Sequence, residues 1–443
     1  MQDTDTPTPP IAPSPTEARS NRSAMMIVFL VVFIDLLGFG IILPLLPRIA
    51  EDHVKLVYPT PAWLVGLIVG LLMSSFSLMQ FVFAPVWGRL SDRVGRRRVL
   101  LIGLAGSVVF YGLFGYAASL PPATYAVLAM QLFFVARIGA GICGATISTA
   151  QAVIADCTPP EKRKHGMALI GAAFGIGFTF GPLIGFGCLS LGKYYPDLGI
   201  GIIGYSAAGL SFVALLLGLV LLPETRVPSA TPYGRRTFLD MSAIGNALVD
   251  PNISWVILTF FIASLGFGAF EVTLALFLKD NFGYGEDDSF LIFAYVGFVL
   301  MLTQGGLYRR LASRVSEVTF MGMGIFFMAV GVALMGGISY CVWMEYERGP
   351  LKIALYVALT AAVVGFALLT PSAQALISRR TAADRQGEIL GVNQSASAMA
   401  RILGPIFGVT LYKATDSHLL PYLAGAVLLV LMLPMLPRMR RGA

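Results

Sequence analysis

Four ionisable residues of the 443-residue chain, Asp35, Arg137, Glu271 and Arg401, lie inside long apolar runs. A charge in hydrocarbon is costly, so each is a functional candidate by default. Asp35 shares its run with Gly38, Gly40, Pro44 and Pro47, and a carboxylate in apolar surroundings is suited to taking up and releasing a proton. Arg401 cannot shed its proton, so it must face a cavity and meet a carboxylate or an anionic substrate group. It sits about 15 residues, roughly 22 Å, into its helix, and Glu271 lies roughly 6 Å farther out, which a long side chain can bridge. A charge-balancing set of ion pairs is the simpler reading of these four residues.

A second cluster is compact in sequence. GRLSDRVGRRRVL, Gly88 to Leu100, places Arg89, Asp92, Arg93, Gly95, Arg96, Arg97 and Arg98 between two apolar runs. Basic anchoring on one membrane face accounts for the arginines. It does not account for Asp92 or the glycines.

These residues must be held by membrane helices. The chain is 56% hydrophobic and 12% charged, with a mean hydropathy of +0.78. A soluble chain carries about twice that charge fraction. Apolar stretches at roughly 24–48, 62–88, 98–118, 125–155, 165–190, 200–222, 252–279, 289–308, 317–341, 350–378, 386–412 and 418–437 are each long enough to cross about 30 Å of hydrocarbon. Lipid offers backbone groups no partner, which makes the twelve spans helical. With the amino terminus inside, 22 of the 31 Lys and Arg fall on cytoplasmic segments and 7 on outer ones. Both termini are therefore expected in the cytoplasm and the protein in the plasma (inner) membrane. This bias explains the pI of about 9.2 without a nucleic-acid partner.

The chain repeats itself. TAQAVIADCTPPEKRKHGMALIGAAFGIGFTFGPLIG from Thr149 aligns without gaps to SAQALISRRTAADRQGEILGVNQSASAMARILGPIFG from Ser372, setting Gln151 on Gln374 and Gly181-Pro182 on Gly404-Pro405. IDLLGFG from Ile34 likewise matches IASLGFG from Ile262. The organisation expected is a disordered tail 1–23, a six-helix bundle 24–222, a cytoplasmic linker 223–250, a second bundle 251–437 and a basic terminus 438–443. Duplicated bundles rocking about a shared midplane site are a physical solution to alternating access.

GRLSDRVGRRRVL resembles the signature loop between helices 2 and 3 of the major facilitator superfamily. VVFIDLLGFGIILPLLPRI, ARIGAGICGATISTAQAVIAD and GAAFGIGFTFGPLIG are similar to the twelve-helix drug:proton antiporters of the tetracycline-efflux type. The resemblance implies an all-α fold of two pseudo-symmetric six-helix bundles, and matches Arg137 to a buried arginine that tunes protonation; with the charges in apolar runs, this makes Asp35, Arg137 and Glu271 the expected proton-coupling set. The buried charges and the repeat make Arg401, Asp35, Gln151 and Gln374 the expected substrate cavity, and the resemblance implies a conformational latch at Gly88, Asp92, Arg93, Gly95, Arg96 and Arg97. In that latch Asp92 faces the start of span 11. The family's antiporter motif is matched by Gly177, Gly181, Pro182 and Gly185, and departs from it at Phe186, where glycine is usual. Phe320 to Tyr340 in span 9 holds no acidic residue, unlike the tetracycline-efflux pattern.

Other signals lead nowhere. GCLSLGK from Gly187 lacks the Ser or Thr of a phosphate loop, and GIGIIG from Gly199 opens a span. His53, His165 and His418 are too scattered for a metal site, and Cys143, Cys157, Cys188 and Cys341 have no paired spacing. No GxSxG or HExxH is present. The expectation is a monomeric, cofactor-free, non-enzymatic exporter of amphipathic organic compounds, exchanging a small-molecule substrate for a proton in the lipid bilayer. An uptake symporter and a transport-inactive receptor on the same fold are the alternatives.

Overall fold

Helices run almost the whole length of the chain in a computed structural model, which describes residues 15–57, 61–158, 163–225, 251–381 and 386–440. The first half contains α1 (Pro15–Ile42), α2 (Leu46–Val57), α3 (Ala62–Val94), α4 (Arg96–Ser119), α5 (Pro122–Cys143), α6 (Ile147–Cys157), α7 (Arg163–Gly192) and α8 (Ile202–Leu221). The second contains α9 (Pro251–Phe282), α10 (Glu286–Leu302), α11 (Glu317–Trp343), α12 (Arg348–Arg380), α13 (Gln386–Lys413), α14 (Leu420–Val430) and α15 (Leu436–Arg440). α10 continues through one π-helical turn, Thr303–Tyr308, into Arg309–Leu311.

With α2 set aside and α5/α6 and α14/α15 each taken as one broken span, these are the twelve expected spans. Eleven are long and apolar enough to cross a membrane. The exception is α13, which carries Asn393, Gln394, Ser395, Ser397 and Arg401. Three boundaries differ from the sequence reading. Span 2, expected to end at 88, continues as helix through Gly88 to Val94. α1 begins at Pro15, inside the segment expected to be a tail, because proline suits a first helical position and Thr-Glu-Ala-Arg follows it. Span 1 also ends at Ile42, and the residues beyond it form the separate helix α2. Most of the linker lies outside the described residues.

The repeat is visible in the packing. At Gly40 of α1 an added methyl would lie 3.1 Å from the Gly177 carbonyl and 3.3 Å from Gly181 Cα, in α7. At Gly268, its counterpart in α9, the neighbours are the Ala400 carbonyl at 3.8 Å and Gly404 Cα at 3.9 Å, in α13. Small residues at such crossings let backbones approach, the main source of helix adhesion where lipid removes the hydrophobic drive.

The halves meet through two further pairs. A methyl on Gly66 or Gly70 of α3 would stand 2.5 Å from the Val409 carbonyl or 2.8 Å from Ile406 Cα of α13, and one on Gly297 of α10 would stand 2.5 Å from the Phe178 carbonyl of α7. One buried core runs through both halves here, and includes Ile41, Phe76, Phe133, Phe277, Phe290 and Tyr412. The cross-half hydrogen bonds and ion pairs include Arg48 to Gly285 and Ser289, Ser74 to Ile402, Lys193 to Asp287, Lys279 to Asp52, and Lys413 to Glu51. Ser74–Ile402 lies mid-bundle, and the others lie at the end remote from the Gly88–Arg98 loop. Polar contacts thus join the halves at mid-bundle and at that far end.

Candidate functional site

Arg137 of α5 is 4% exposed. Its guanidinium carbon lies 4.5 Å from the ring centre of Phe76 in α3 and 5.6 Å from that of Phe39 in α1, and Nη2 donates to the Met73 carbonyl at 3.5 Å. Aromatic faces stabilise a guanidinium away from water. Phe39 is four residues, one helical turn, beyond Asp35, so Arg137 reaches the stretch of α1 that carries this acid. Asp35 lies within α1; its side chain is outside the described part.

The second half brings Glu271 of α9 and Arg401 of α13 toward each other. Gly268 and Gly404 set the approach of the two helices, and each of the two charged groups is the other's electrostatic partner. Glu271 is half-buried, and the contact is not a hydrogen-bonded ion pair: Arg401 Nη1 donates to Ser397 Oγ at 3.1 Å.

One cross-half bond links the two regions. Ser74 Oγ of α3 donates to the Ile402 carbonyl of α13 at 2.5 Å. Ser74 follows Met73, which accepts from Arg137, and Ile402 follows Arg401. The arginines of the two halves therefore flank one helix contact. Gln151 in α6 and Gln374 in α12 keep their repeat-related positions, and both are exposed.

The arginine loop is a tight turn between α3 and α4. Gly95 has φ 107°, and a methyl there would meet the Glu224 carboxylate at 2.3 Å, so only glycine fits. Glu224 accepts from the backbone N–H of Arg96 at 2.8 Å and of Arg97 at 3.3 Å, placing an anion at the positive end of α4. Arg96 gathers the rest: Nη1 donates to Asp92 Oδ1 at 2.5 Å and Ser91 Oγ at 2.6 Å, and Nε to Asp156 Oδ2 at 3.2 Å. Arg97 Nη2 donates to the Leu219 carbonyl at 2.6 Å. Arg93 is exposed, and Gly88 is only in ordinary contact with Ser148. The described partner of Asp92 is thus Arg96 in its own half; residues 382–385, just before α13, lie outside the described part.

In the antiporter motif, methyls at Gly177 and Gly181 would press on α1, 3.0 Å from Leu36 Cβ and 2.8 Å from Gly40 Cα. Pro182 lies inside α7. A methyl at Gly185 would meet the ring of Phe290, in the other half, at 2.4 Å.

The sequence reading missed Asp156 and Glu224 as partners of the loop. Asp156 ends the quoted run AQAVIAD, but its meeting with Arg96 depends on how α4 and α6 pack. Glu224 sits at the start of what composition marks only as a polar linker.

Two six-helix halves related by an internal repeat, with ionisable groups at their helix contacts, define a multi-pass membrane transporter. The chain belongs to the Major Facilitator Superfamily, whose sequence pattern matches residues 28–346 and 307–443. It is 30% identical over 398 residues to the class E tetracycline resistance protein of Escherichia coli, covering 89% of each chain. It is 24% identical to the crystal structure of the human organic anion transporter MFSD10 (TETRAN), with a TM-score of 0.62, covering 94% of this chain and 99% of that one. A D-xylose-proton symporter structure superposes with a TM-score of 0.75 at 16% identity, covering 94% and 97%. As in the rest of the family, the chain is a transporter and not an enzyme.

Proposed function

We propose that the chain is a proton-coupled exporter of amphipathic organic compounds, working by alternating access in the plasma (inner) membrane with both termini in the cytoplasm. The observation that carries this reading is the gathering of ionisable groups from both halves around the α3–α13 contact, in a bundle whose halves are tied by ion pairs at the far end. Under the basic-residue bias the arginine-loop end is cytoplasmic, so the arrangement corresponds to a site closed from outside. Asp35 takes the proton, Arg137 tunes its release, and Glu271 answers Arg401. With only the neutral Ser397 bonded to it, Arg401 is free to receive an anionic substrate group. Similarity to tetracycline resistance proteins and to an organic anion transporter supports an amphipathic substrate.

The energetics are sufficient. Each proton falling through 100 mV supplies about 2.3 kcal/mol, each pH unit adds about 1.4 kcal/mol, and a tenfold gradient takes about 1.4 kcal/mol. One proton per molecule thus sustains a gradient of a few hundredfold. The test is flux in proteoliposomes under an imposed proton gradient. Substrate moving against the proton supports the reading, substrate moving with it makes the protein a symporter, and no flux of any amphipathic compound from a resistance screen overturns it.

A further inference from the structure

The far end holds a set of charges that the transport reading does not use. α2, LPRIAEDHVKLV, buries Leu46, Ile49, Ala50 and Val54 against the bundle, and with them Glu51, which is 0% exposed. A carboxylate fully withdrawn from water stays ionised only beside a cation. Glu51 has two, each 2.6 Å away: Lys55, one turn along α2, and Lys413, the last residue of α13 in the other half. Burial alone would raise its pKa, but the two lysines together hold it below the usual carboxylate range. Lys413, itself buried, also donates to Asp280 of α9 at 2.9 Å. His418 Nε2 stands 3.7 Å from Asp280, and its ring is stacked on Tyr412.

The placement of these partners gives the pair its character. Lys55 moves with Glu51, and Asp280 moves with Lys413, since each shares its partner's half. If the halves part at this end, Glu51 keeps Lys55 and Lys413 keeps Asp280. Separation then costs one cross-half ion pair and leaves no buried charge alone. A cleft of about 330 Å³ lined by Lys55, Asp280, Lys413 and His418 opens beside the two substitute partners, while Glu51 itself stays outside its lining. The neighbouring pairs Lys279–Asp52 and Lys193–Asp287 are more exposed, and exposed pairs are worth little.

We propose that the Glu51–Lys413 pair is the bolt of the outer gate, and that it opens by handing Glu51 to Lys55 and Lys413 to Asp280. The proposal rests on the alternating-access reading.

The experiment places a reporter cysteine at Val69, which is 1% exposed on α3 beside the α13 contact, in a protein whose four native cysteines are replaced. Labelling by a membrane-impermeant maleimide is followed from the far side, without substrate or proton gradient. Glu51→Gln and Lys413→Gln are each expected to raise the labelling rate roughly five- to tenfold, a shift within the range of a two-state equilibrium. Lys413→Arg should keep the wild-type rate. The double variant should exceed neither single by much, because both remove one interaction. Unchanged labelling in both single variants, or an equal rise with Lys413→Arg, overturns the proposal. If Lys413→Gln does not accumulate, Glu51→Gln, which preserves the shape of α2, decides the matter alone. Shifted labelling without proton-coupled flux would sink the exporter reading and leave the bolt standing.

Discussion

The two halves share a plan of helices and differ in where they keep their charges. Gly40 meets Gly177 and Gly181 as Gly268 meets Ala400 and Gly404, so the repeat preserves the crossing of the first and fifth helices. Its ionisable groups have diverged: Asp35 stands opposite Ala263, and Arg401 opposite Phe178. The loop cluster of Asp92, Arg96 and Asp156 in the first half has Ala312 and Ser313 in the matching stretch of the second. Duplication therefore copied the scaffold, which depends on small residues at a few crossings, and left chemistry free to specialise. The first half carries Asp35 and the arginine loop, and the second the Glu271–Arg401 pair.

The sharpest break in this comparison is Asp35→Asn, which keeps shape but cannot ionise. Uphill transport is expected to fall to background while substrate binding stays measurable; full proton-driven transport by the variant would remove Asp35 from the mechanism. Next in size, Arg401→Ala and Glu271→Ala should each cut transport about tenfold, with the double variant better than additive by roughly 0.5–3 kcal/mol of coupling. Strictly additive losses would mean that the two charges act separately, with Arg401 facing substrate alone.

The shared scaffold can be tested at its symmetry-related glycines. Gly40→Ala forces a methyl to 3.1 Å from a carbonyl and should destabilise by about 1–3 kcal/mol, as overpacking does. Gly268→Ala finds ordinary contact distances and should hold or raise the thermal midpoint, since alanine favours helix over glycine by about 1 kcal/mol. Equal effects would show that the two crossings are not as unlike as their distances. The smallest effect belongs to Asp92→Asn. Arg96 retains Asp156, so folded yield should hold and transport change only a few-fold, with cysteine accessibility on the two faces moving toward the cytoplasm-open pattern. An unchanged pattern would reduce the arginine loop to an anchor.

Legibility in the sequence followed the range of the interaction. Twelve spans and the repeat are local or periodic, and residue order alone exposes them. Arg137 and Arg401 were legible as charges in apolar runs, but that they flank one contact between Ser74 and Ile402 depends on the docking of two halves. Glu51 was invisible as anything special. It follows a span by a few residues in a polar stretch, and only the packing of α2 takes it out of water and sets it against Lys413. Asp156 and Glu224 escaped notice for the same reason, being ordinary acids until α4 supplies their partners.

Glu224 fixes more than the turn beside it. By capping α4 it clamps the chain at the point where it leaves the first half, so the tether to Pro251 starts from a rigid mooring. Counted from there, its contour reaches at most about 90 Å. Between the halves themselves, backbone stands directly against backbone at Gly66 and Gly70 on one side and at Gly297 on the other, with no side chain as a cushion.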